Sequence, residues 1–227
     1  MDLNSLPHRS LRGRSRRSVL IRKRILARAF TLIELLVVCA IIIVISGVIL
    51  VDNNRFGGQV ILENLAYDIA LSVRQTQVYG IAVERFGQGT FTAGYGMHFS
   101  LSSPTNYVLF ADLEGTGVYD SAFRNPSYPT GEVEQSTNIQ QGYSITSMCV
   151  IPQVGGSSGC VAVSTIDIMF QRPEPSAYIS SAVTGTPVSC VQNPAVACSY
   201  EAQVTLISPR GATSTVVVDA TGQISVQ

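Results

Sequence analysis

"RAFTLIELLVVCAIIIVISGVILV", residues 28–51, carries a single carboxylate, Glu34, near the start of an apolar run that directly follows a block of arginines. Leu35 to Val51 is seventeen residues without a charge, and counting from Phe30 brings the run to twenty-two. A helix rises about 1.5 Å per residue, so this stretch can cross a hydrocarbon core of roughly 30 Å. An unpaired carboxylate is costly there, which makes Glu34 a candidate for function.

The formal net charge of zero conceals two electrostatically different parts. Nine of the fifteen Lys and Arg residues lie in the first 29 positions, against only Asp2. From Phe30 onward six cations face fourteen anions, a balance of −8. A basic stretch before an apolar one predicts a cytoplasmic amino terminus, with the remainder on the far side of a membrane. A cleaved secretory signal fits poorly, because "VDNNRFGGQV" offers no small-x-small site after the apolar run. A twin-arginine signal at Ser15–Leu20 is interrupted by Arg22, Lys23 and Arg24. A plain signal anchor explains the span and leaves Glu34 without a task.

At 227 residues and 46% hydrophobic content, the chain can build one ordinary domain plus an appendage. Asp52-Asn53-Asn54 and Phe56-Gly57-Gly58 predict the exit from lipid and a break or bend. Helix then resumes from Gln59 to about Val83, with Leu62, Leu65, Ala66, Ile69, Val73 and Thr76 at helical spacing. From Phe91 the pattern becomes short alternating or β-branched runs: "GYGMHFSL", "NYVLFAD", "YSITSMCVI", "CVAVSTIDIMF", "AYISSAV", "YEAQVTLIS", "STVVVDA" and "GQISVQ". Ser208-Pro209-Arg210-Gly211 and Ala220-Thr221-Gly222 supply hairpin turns. The fold class expected is α+β: a long amino-terminal helix, membrane-spanning then amphipathic, and a carboxy-terminal antiparallel β-sheet head. The expected divisions are a basic leader over 1–29, a spanning helix over 30–52, an amphipathic helix over 53–85 and the head over 86–227.

Ala29-Phe30-Thr31-Leu32-Ile33-Glu34-Leu35-Leu36-Val37-Val38 resembles the prepilin cleavage and methylation motif of type IV pilins and type II secretion pseudopilins. The closing stretch "EAQVTLISPRGATSTVVVDATGQISVQ", with "IDIMFQRP", is similar to the carboxy-terminal half of H-type pseudopilins and T-type fimbrial minor pilins. The resemblance covers residues 25–85 and 160–227, and the middle is poorly matched. It implies that a prepilin peptidase cuts between Ala29 and Phe30 and that the new amine on Phe30 is methylated. Alanine stands at position 29 where the family usually has glycine. It also implies an amphipathic half-helix packed on the sheet, and as partners other pilin or pseudopilin subunits, an inner-membrane assembly platform and membrane lipid. Glu34 then becomes the fifth mature residue, and an ammonium group on its own or the next subunit's Phe30 neutralises it. DNA uptake, known among T-type relatives, fits the charge badly. Nucleic acid wants a basic stripe, and only a local patch around Arg172 and Arg210 offers cations in the head's closing half.

Cys39 lies in the apolar span and reads as a packing residue. The other four cysteines form two close pairs, Cys149 with Cys160 and Cys190 with Cys198. Four cysteines allow three connectivities; the sequential one is expected in an oxidising compartment, with free buried thiols the alternative. Zinc fits less well, because neither pair has Cys-x-x-Cys spacing. "ADLEGTGVYD" places Asp112, Glu114, Thr116 and Asp120 at positions 1, 3, 5 and 9 of a calcium-type loop, with Gly117 at the turn. Phe123 occupies the twelfth position, so Glu132 or Glu134 has to close a calcium site if one forms; a plain acidic turn is the alternative. No cofactor is expected, calcium at this loop being the one alternative left open. His8 and His98 are the two histidines, no serine has nucleophile-elbow spacing and no phosphate loop appears, so an enzyme is the least favoured class.

Overall fold

The computed structural model describes residues 30–82, 86, 93–123, 125, 126, 128–153 and 159–227. Two compact units divide after Gly47. Helix α1, Leu32–Ile81, contributes to both. The break expected at Asp52–Gly58 is absent: the backbone is helical at every one of these positions. Two glycines cost about 1 kcal/mol each relative to alanine, and a helix already propagating on both sides absorbs that.

In the first unit, Leu32–Leu50 is long and apolar enough to cross a membrane, and none of its side chains is covered. In the second unit, Leu62, Ala66, Ile69, Val73 and Thr76 are buried, the stripe the helical spacing predicts. Each of the larger aliphatic side chains contributes on the order of 1.5–3 kcal/mol by leaving water. The stripe shares one core with Met97, Phe99, Ile168, Phe170, Val204, Leu206 and Val216. At Gly80 a Cβ would fall on the carbonyl group of Phe170, so glycine permits this close approach of the last helical turns.

Among the described residues the head holds two antiparallel five-stranded sheets rather than one. The first runs β3-β2-β1-β6-β7, from β1 (Gly94–Ser100), β2 (Asn106–Asp112), β3 (Val133–Asn138), β6 (Thr165–Phe170) and β7 (Ala177–Ala182). The second runs β10-β9-β8-β4-β5, from β4 (Ser144–Pro152), β5 (Val161–Ala162), β8 (Ser199–Ile207), β9 (Thr213–Asp219) and β10 (Ile224–Val226). A four-residue helix, α2 (Pro194–Ala197), precedes β8. The run expected as one strand, "CVAVSTIDIMF", divides between β5 in one sheet and β6 in the other. Both turn signals close hairpins, β8–β9 through Gly211 at φ 86° and β9–β10 through Gly222 at φ 87°.

In the first sheet the odd-numbered residues Tyr95, Met97 and Phe99 of β1 enter the shared core beside Tyr107, Leu109, Ile166 and Ile168. Alternation along the strand sends His98 to the opposite face, where it is paired across strands with Val108 and Asp167. That outer face carries the His98–Asp167 pair.

Candidate functional site

The amino end of α1 is built by Thr31. Its Oγ1 accepts the backbone N–H of Glu34 at 3.2 Å, and its carbonyl accepts the N–H of Leu35. Thr31 is thus the cap and Glu34 the third helical residue, the Thr-x-x-Glu spacing of a capping box, with the acid favourably placed against the helix dipole. This local role was readable from the sequence and is distinct from subunit pairing. Phe30, Thr31 and Glu34 are all exposed. Ala29 and the expected leader, 1–29, lie outside the described residues.

Opposite its buried stripe, the second half of α1 exposes Val60, Tyr67, Leu71 and Val78. These recur at steps of seven, four and seven residues, whole turns of the helix, so this half is apolar on two faces rather than one.

The acidic loop after β2 folds around its own carboxylates. Asp112 accepts the backbone N–H groups of Thr116 (2.9 Å) and Gly117 (2.7 Å). Glu132 accepts those of Leu113 (3.1 Å) and Asp120 (3.0 Å). Asp120 accepts from Ala122, and Glu114 is exposed. The expected calcium ligands therefore do not converge: among the described residues no three His, Cys, Asp or Glu side chains stand together as a metal site. Backbone donors engage both carboxylate oxygens of Asp112 and both of Glu132. Glu132 is 1% exposed, and burial raises its carboxyl to about 7; the Asp120 and Leu113 N–H groups lower it, while Asp112 and Glu114 raise it further.

The outer face of the first sheet holds a feature the sequence reading passed over. Asp167, central in β6, is wholly buried, and its Oδ1 lies 2.5 Å from Nδ1 of His98. Its Oδ2 accepts the Tyr119 N–H at 3.2 Å. Burial pushes the Asp167 carboxyl up, opposed by the His98 ring and the Tyr119 N–H. The Tyr119 ring tilts against His98 with centroids 4.9 Å apart and against Phe110 at 5.5 Å. Phe110 in turn lies over Gly96, where any Cβ would meet its ring. The signal in the sequence was the lone acid inside the apolar "TIDIMF".

Both disulfides join the sequential pairs, Cys149–Cys160 with Cα atoms 5.4 Å apart and Cys190–Cys198 at 4.5 Å. The second anchors the segment before α2, where Ser180 of β7 accepts the Cys190 N–H at 2.8 Å. Cys39 is free and exposed.

No protein-family model matches the chain, and comparison with curated proteins and with solved structures gives no match either.

Proposed function

We propose that the chain is a minor pilin or pseudopilin, a structural subunit of a type IV pilus-like or type II secretion filament. Prepilin peptidase hydrolyses the Ala29–Phe30 bond and methylates the new amine. The subunit waits in the cytoplasmic membrane with its amino terminus inside and its head outside, and then enters the filament through α1. The observation that carries this reading is the Phe30–Glu34 motif at the head of a helix whose apolar side chains through Leu50 have no cover among the described residues. An apolar surface of that length requires lipid or neighbouring helices.

The finer architecture belongs to the same proposal. A pilin-like helix laid along its head is supported by the entry of Leu62, Ala66, Ile69 and Val73 into the core shared with both sheets. The exposed Val60, Tyr67, Leu71 and Val78 offer a second stripe to neighbouring subunits. Glu34 sets the register of adjacent subunits, because any other stagger leaves it and the Phe30 amine unpaired in an apolar core.

A second reading, a single-pass anchored binding module, is favoured by the Thr31 cap, whose Thr-x-x-Glu spacing offers Glu34 a local alternative to subunit pairing. Mass spectrometry of the mature amino terminus, after expression in a host with prepilin peptidase, separates the two. A methylated amine on Phe30 supports the filament subunit; an uncut amino terminus supports the anchor and overturns the proposal. A DNA-uptake role is disfavoured by the −8 balance beyond Phe30.

A further inference from the structure

The outer face of the first sheet opens, beside His98, into a recess of about 420 Å³, within the range of small-ligand sites. Cross-strand pairing places His98 opposite Asp167 and Ser100 opposite Thr165, a polar two-by-two block on the central strands of a sheet whose other face is core. Central strands do not need such a block for stability, since an unneutralised carboxylate with no exposure is expensive. Asp167 fixes the imidazole by its Nδ1. Nε2 is the polar atom the ring has left, an acceptor when Nδ1 holds the shared proton and a donor when Asp167 does.

The rest of the lining defines the ligand class. Hydroxyls come from Ser100 and Ser102, which bond each other at 2.7 Å, from Thr165, which donates to the Gly185 carbonyl, and from Ser103, Ser121 and Thr186, with the half-buried Tyr119 ring as an apolar platform. Among the described residues, no Asp, Glu, Lys or Arg lines the recess. A surface without fixed charge gives no preference for a phosphate, a metal ion or a nucleic acid. Hydroxyl groups and an oriented imidazole instead match a ligand that both donates and accepts at closely spaced positions, with C–H faces to lay on a ring.

We propose that this recess binds a neutral, polyhydroxylated ligand, a glycan, with the Asp167-oriented His98 as its central hydrogen-bonding group. The site is independent of filament assembly and stands whether or not Phe30 is processed. Asp167 acts through His98 and is a positioning residue. The competing explanation is that the pair only braces the loop at Tyr119, so the readout has to be one that bracing does not move.

The full-length chain, ¹⁵N-labelled in detergent micelles, suits the test because it contains two histidines, His8 and His98. The imidazole nitrogens are followed by NMR during titration with maltose, lactose, cellobiose and chitobiose, and separately with inorganic phosphate. At least one disaccharide is expected to shift His98 Nε2 saturably, with a dissociation constant of about 10 mM or tighter. Thr186→Trp, a change at an exposed rim residue, should fill the recess and weaken that binding at least tenfold with unchanged thermal stability. Tyr119→Leu should weaken it while leaving the saturation behaviour intact. No shift with any of the four sugars to about 50 mM, a shift insensitive to Thr186→Trp, or a response to phosphate alone would each overturn the proposal.

Discussion

The side-chain amide of Gln77 donates to the carbonyl of Gly222 at 3.2 Å and to that of Pro175 at 2.8 Å. A buried polar residue of α1 thereby holds both the β9–β10 turn and the segment before β7. A Cβ at Gly222 would collide with the Pro175 carbonyl and the Gln77 amide, and the residue sits at φ 87°. Gly211, at φ 86°, has open space around it. Both positions carry the left-handed backbone penalty of about 1–2 kcal/mol, but only Gly222 adds the loss of two buried hydrogen bonds. Gly211→Ala is therefore expected to cost about 1 kcal/mol and Gly222→Ala about 3 kcal/mol or more. Urea denaturation of the two variants measures the difference, and equal losses would show that the Gln77 contact is idle.

Glu132 makes stability depend on pH in an unusual direction. Its carboxyl is raised to about 7 from 4.5, so between those values the folded chain retains a proton that the unfolded chain has released. Its contribution is complete below about pH 4.5, declines as pH rises and is gone above about 7, by roughly 3 kcal/mol in all. Asp167 is shifted the same way, so the informative quantity is wild type minus Glu132→Gln. That difference should become less favourable to wild type from pH 4.5 to 7 and then level off. A flat difference across this window rules out Glu132 as the source.

The two disulfides should differ in accessibility more than in worth. The partners stand 11 and 8 positions apart in sequence, and closures of this size contribute about 2–3 kcal/mol each. Cys190 and Cys198 are buried, whereas Cys160 is exposed and Cys149 half-buried. Under graded reductant with alkylation and peptide mapping, Cys149 and Cys160 are expected to label first. Cys190 and Cys198 should label only as the head unfolds; simultaneous labelling contradicts this order.

Much of the architecture was legible because it rests on local periodicity. The buried stripe of α1 follows from 3.6-residue spacing, and most strands from alternation bounded by turn residues. β3 escaped notice because Val133–Asn138 is an edge strand with little buried surface and almost no apolar signal. The division into two sheets was not legible, since the assignment of β5 and β6 to different sheets is decided by long-range pairing. At the acidic loop, the sequence identified the carboxylates and left a calcium site and a plain acidic turn both open, without showing their donors. Spacing shows that oxygens are near one another, but not that the Thr116, Gly117, Leu113 and Asp120 N–H groups occupy them first. Asp167 was hidden for the converse reason: its partner His98 lies 69 residues away in sequence.

Glu34 has two candidate roles that a pair of substitutions separates. A capping box accepts glutamine in place of glutamate at the third helical position, whereas pairing with an ammonium group requires the charge. If Glu34 only caps, Glu34→Gln should behave as wild type and Thr31→Ala, which removes the observed hydrogen bond, should cost about 1 kcal/mol of helix stability. If Glu34 sets subunit register, Glu34→Gln and Glu34→Ala should both lose incorporation into filaments, while Thr31→Ala retains most of it. Quantifying each variant in sheared filament fractions against its membrane pool distinguishes the cases. Filament yields for Glu34→Gln equal to wild type would remove charge pairing as the reason the acid is there.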